Sequence, residues 1–112
     1  MDKHGYAYLL ASARHGTLYT GVTSDLMRRI SQHRDGTFKG FTDRYDVKCL
    51  VWYEAHASIE PAIIREKRIK EWKRDWKVRL IEETNPDWHD LAPSLGFPPL
   101  TVKPVKPFKT VD

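Results

Sequence analysis

The chain has 112 residues, enough for one domain around a single modest hydrophobic core. It is 40% hydrophobic and 30% charged, a globular composition, and its net charge of +4 favours polyanions over acidic proteins or neutral metabolites as partners. A lone cysteine, Cys49, excludes an internal disulfide and a multi-thiolate zinc site, and no apolar run is long enough for a signal peptide or a membrane span, so a cytoplasmic location is expected.

Tyr6 to Ala11 reads as a strand and Leu18 to Val22 as a second, with His15-Gly16 supplying turn chemistry for an antiparallel hairpin. Thr23, Ser24 and Asp25 offer N-caps for a helix reaching about His33, with Leu26, Met27 and Ile30 on one side. The glycines and polar residues from Asp35 to Asp46 read as a loop pinned by Phe38, Phe41 and Tyr45. Cys49 to Tyr53 follows as a third strand. A second helix is expected from near Ser58, with Pro61 in its first turn, to about Trp72, and a third from Arg74 to Glu83, stopped by Asn85-Pro86. From Ala92 onward the chain holds five prolines and three lysines, which predicts an extended or disordered tail over 92–112 after a domain spanning 1–91. The fold class is α/β: a small three-stranded antiparallel sheet flanked by about three helices.

Glu66 is the most informative single residue. Ile59, Ala62, Ile63 and Ile69 trace an apolar stripe on the second helix, and position 66 falls within it. A carboxylate there loses hydration and requires a cation. Either a hard divalent metal or a salt bridge, to Arg29 or another base, meets that need. Tyr8 and Tyr19 sit in the two strands of one hairpin, where they can be neighbours on one face or ordinary core residues. Arg29 and His33, four apart on the first helix, project together. The pair suits phosphate binding and proton transfer, or a solvated helix terminus.

Taken in order, these spacings resemble the GIY-YIG nuclease family. Tyr6-Ala7-Tyr8, followed eleven residues later by Tyr19-Thr20-Gly21, looks like the two halves of its signature. Arg29, ten positions after Tyr19, and His33, four further on, match its arginine and histidine. Glu66 matches its metal-binding glutamate, and Asn85 the asparagine often found after that helix. The match runs from about Tyr6 to Leu91. Leu18–Thr23, Arg65-Glu66-Lys67 and Trp72 further resemble stand-alone bacterial members, which are similar to the N-terminal nuclease domain of the nucleotide-excision-repair excinuclease. The first motif departs from the family pattern in having Tyr-Ala in place of Gly-Ile, and the second in having Thr in place of Ile. Some members add a lysine or histidine in the loop after the first helix, for which Lys39 and Thr42 are the candidates.

The resemblance implies an endonuclease that hydrolyses DNA phosphodiester bonds with one Mg²⁺ or Mn²⁺ held by Glu66, leaving a 5′-phosphate and a 3′-hydroxyl. Tyr19 would accept a proton from water, Tyr8 would position water or phosphate, Arg29 would offset charge, His33 would assist proton transfer, and Asn85 would buttress the site. Between Ile59 and Leu80 eight basic residues outnumber four acids, interleaved with Trp72 and Trp76. Lys39, Arg65, Lys67, Lys70, Lys73, Arg74 and Trp76 are therefore the nucleic-acid-binding candidates, with single-stranded or branched DNA the favoured form and DNA repair one pathway. Trp72 is assigned to the core. The alternative is a binding module on a degenerate nuclease fold, which has no need of Glu66.

Overall fold

A computed structural model describes residues 4–37, 40–98 and Leu100. Three antiparallel strands, β1 (Gly5–Ala11), β2 (Leu18–Thr23) and β3 (Cys49–His56), form one sheet in the order β2-β1-β3. Helix α1 (Leu26–Arg34) follows the hairpin, and a single turn of helix, α2 (Phe41–Arg44), precedes β3. The longer helices α3 (Ile59–Glu71) and α4 (Arg74–Thr84) come after it, then a 3₁₀ turn at Ala92–Leu95. The expected architecture is the one observed. The additions are α2, placed where only a loop was expected, and three more residues on β3.

Alternation along β1 divides the core between the two faces of the sheet. Ala7, Leu9 and Ala11 pack with Val51, Trp52, Ile69, Ile81 and Trp88, which is the side covered by α3 and α4. Tyr8 and Leu10 pack with Leu26, Ile30, Val47, Leu50 and Ala92 on the side covered by α1. A bulge between Leu9 and Leu10 in the β1–β3 ladder lets two successive residues of β3, Val51 and Trp52, face the same core. β1 also approaches α3 closely. A Cβ on Gly5 would lie 2.5 Å from the Ser58 carbonyl oxygen and 2.8 Å from the Ala62 Cβ, so only glycine fits at that crossing.

Asp25 is the N-cap of α1, its carboxylate accepting from the Arg28 amide at 3.1 Å. The start of the expected tail packs instead with the domain. Ala92 is fully buried, and Leu95 and Phe97 lie against the α1-side core. The cause is Asp90, whose carboxylate binds Arg34 Nη2 at 2.6 Å and accepts from the Leu50 and Ala92 amides. Residues 101–112 lie outside the described part of the chain.

Candidate active site

The register of the hairpin sets Tyr8 opposite Gly21, and Tyr19 opposite Leu10, on the α1 side of the sheet. A Cβ on Gly21 would stand 2.4 Å from the Tyr8 ring and hydroxyl. Glycine at that position is thus a steric requirement: the phenol lies over the bare backbone of β2. Tyr19 is tilted against Tyr8 with ring centroids 6.3 Å apart, and the His33 ring meets both edge-on at 5.9 and 5.5 Å. Tyr8 is fully buried whereas Tyr19 is partly exposed, so Tyr19 is the phenol that reaches solvent.

Tyr8 Oη lies 3.1 Å from His33 Nε2, and His33 Nδ1 lies 3.0 Å from Thr42 Oγ1. Burial, with the neighbouring Tyr19 adding to it, pushes the Tyr8 phenol well above its ordinary range, while Arg29, which hydrogen-bonds it, pulls the other way. Burial and the Arg29 charge lower His33 to about 4, so its ring is neutral near pH 7. A neutral ring can accept the Tyr8 proton at Nε2 while donating from Nδ1 to Thr42, so the three side chains can form one chain of hydrogen bonds. The helical turn α2 exists at the right place to deliver that threonine, which is itself buried. Of the two loop candidates, Thr42 therefore joins the site, whereas Lys39 lies outside the described residues.

Glu66 is buried on the sheet-facing side of α3, and its charge acts on the Tyr8 phenol. Its partner is Lys70, one turn on, with Nζ 2.7 Å from Oε2, and this ion pair raises the Lys70 ammonium. Lys70 also feels Tyr19, so α3 presents a carboxylate and an ammonium beside the phenols. The lysine side chain is 57% exposed on a flexible stem and can turn away to solvent, leaving a desolvated carboxylate. No group of three or more His, Cys, Asp or Glu residues is gathered for a metal among the described residues. The donor set fits a hard divalent ion that takes one protein carboxylate and fills its remaining positions with water and phosphate oxygens.

Asn85 caps α4, donating from Nδ2 to the Val51 and His89 carbonyl oxygens and accepting from the His89 amide. It fastens the 85–89 turn to β3. Arg65 is likewise engaged internally, hydrogen-bonded to Glu54 at 3.0 Å and stacked between the Trp52 and Trp72 rings. Arg74 donates to the His15 and Gly16 carbonyl oxygens, clamping the hairpin turn to α4. Lys67, Lys70, Lys73 and Trp76 remain exposed. Arg34 and Asp90 escape any reading of the sequence, because a pairing across 56 residues leaves no local pattern.

The GIY-YIG catalytic domain matches residues 4–79, which takes in both tyrosines, Arg29, His33 and Glu66. The chain belongs to the GIY-YIG family. It is similar to UPF0213 proteins of Staphylococcus saprophyticus, 36% identical over 74% of this chain and 99% of the relative, and of Bacillus pumilus, 32% identical over 74% and 85%. That of Aeromonas salmonicida is 30% identical over 93% of this chain and 77% of the relative. Among solved structures, the solution structure of a UPF0213 protein from Bacillus halodurans superposes with a TM-score of 0.50 at 28% identity, covering 85% of this chain and 99% of that one. A nuclease-type GIY-YIG domain therefore accounts for the convergence of phenols, imidazole, guanidinium and carboxylate. No described helix is long and apolar enough to cross a membrane.

Proposed function

We propose that this GIY-YIG protein is a metal-dependent endonuclease that hydrolyses DNA phosphodiester bonds at a single site. The observation that carries the reading is the meeting of Tyr19, Arg29 and the buried Tyr8–His33–Thr42 chain with the desolvated carboxylate of Glu66. A DNA-holding surface needs basic side chains but has no use for that carboxylate.

Tyr19, the tyrosine open to solvent, gives up its own proton to solvent and as the phenolate accepts the proton of the attacking water. Tyr8 lies beneath it and fixes its position, itself oriented by His33 and Arg29. Arg29 offsets the charge that develops on the phosphate oxygens. Glu66 holds Mg²⁺ or Mn²⁺, which when bound polarises the phosphate and stabilises the leaving oxygen. Lys70, its ion-pair partner, moves towards solvent as the substrate enters.

The test compares the parent protein with Glu66→Ala on single-stranded, duplex and branched DNA, with and without Mg²⁺ or Mn²⁺. Cleavage should require the ion and fall by about 10³-fold or more in the variant, which keeps its affinity for DNA. Binding without ion-dependent cleavage on every substrate leaves only the binding-module alternative.

A further inference from the structure

The outer face of α4 carries an aromatic feature that the nuclease chemistry does not use. Trp52, Arg65, Trp72 and Trp76 form a ladder. The Arg65 guanidinium lies 5.7 Å from the Trp52 ring centre and 5.5 Å from that of Trp72, and Trp72 meets Trp76 edge-on at 6.0 Å. The inner rungs are fixed, since Trp52 belongs to the core and Glu54 holds Arg65. The last rung is not covered: Trp76 is 55% exposed. Beside it opens a cavity of about 270 Å³ lined by Trp72, Trp76, Arg79, Leu80 and Glu83.

We propose that this cavity is a subsite for one unpaired nucleobase of the substrate strand, stacked on Trp76 with the adjoining phosphate held by Arg79. The proposal rests on the nuclease reading for its choice of ligand. Three features favour a base over another planar group. The Trp76 indole, set edge-on against Trp72 and more than half exposed, offers an open face on which a base can stack. Trp76, Arg79, Leu80 and Glu83 share one side of α4, so aromatic, cationic and acceptor groups converge. Glu83 can accept from an exocyclic amine such as cytosine N4.

The experiment uses the full chain in EDTA, so that nothing is cut, and measures fluorescence anisotropy of a short labelled cytosine oligonucleotide and of an abasic strand of equal length. The parent should prefer the base-bearing strand by about tenfold. Trp76→Ala should bind both strands alike, at the parent's affinity for the abasic one, and Trp76→Phe should fall between. Thermal melting checks that the variants remain folded. Equal binding of both strands by the parent, or an unchanged preference in Trp76→Ala, overturns the proposal. Cleavage of the same strands with Mn²⁺ is scored separately. A base preference lost in Trp76→Ala without cleavage by the parent defeats the nuclease reading and leaves the subsite standing.

Discussion

His33 is the residue whose surroundings have the clearest thermodynamic consequence. The folded protein lowers its pKa to about 4, against about 6.5 in an unfolded chain. Between those values the unfolded state binds a proton that the native state does not, so stability rises with pH across this window and falls as the pH drops towards 4. The expected loss from pH 7 to pH 4 is on the order of 2 kcal/mol, read by urea denaturation as the difference between the parent and His33→Asn. Below about 4 both states are protonated and the two curves run parallel. Parallel curves from pH 7 downward would mean that burial and the Arg29 charge do not hold the ring neutral. The place of His33 beside Tyr8 and Tyr19 was legible only through the family resemblance, because helix and hairpin periodicities alone left it open to a solvated helix terminus. Thr42 was not, because a four-residue helix within a glycine-containing loop has no periodicity to read.

At the scale of elements, strands and long helices were legible wherever the pattern of apolar residues repeats, as along β1 and α3. Contacts that join distant segments were hidden. Arg65 and Arg74 read as free cations in sequence, yet one is sandwiched between two tryptophans and the other clamps the hairpin turn. The start of the expected tail shows the same effect. Proline and lysine content predicted an extended chain from Ala92, but Asp90 binds Arg34 and draws residues 92–97 onto the α1-side core. Arg34 Nη2 also donates to the Lys48 carbonyl oxygen, and Nε and Nη1 have no hydrogen-bond partner among the described residues, so Asp90 supplies the negative charge that compensates the guanidinium. Asp90→Ala should therefore cost about 3 kcal/mol of stability in urea unfolding, by leaving a largely buried charge uncompensated. Arg34→Leu in the same background should restore part of the loss. If Asp90→Ala changes stability by less than about 0.5 kcal/mol, the pair does not hold the segment in place.

At the scale of the whole molecule, the net charge of +4 is not spread evenly, because the run from Arg65 to Arg79 supplies eight of the nineteen lysines and arginines. Some of these cations serve the fold, as Arg65 and Arg74 do, and Lys70 serves Glu66. Lys67 and Lys73 stand exposed on α3 and at the start of α4, on the same part of the chain as the site carboxylate and the Trp76 cavity. A phosphate contact made there releases counterions without regard to base identity. Removing both as Lys67→Ala with Lys73→Ala should flatten the slope of log affinity against log salt by roughly 0.7 per lysine on single strands, and should weaken base-bearing and abasic strands equally. Trp76→Ala should do the reverse, leaving the slope nearly unchanged while abolishing the difference between the two strands. Salt titrations of the parent, the double lysine variant and Trp76→Ala on the same two oligonucleotides separate the contributions. An unchanged slope in the double lysine variant would place the path of the strand on another face of the domain.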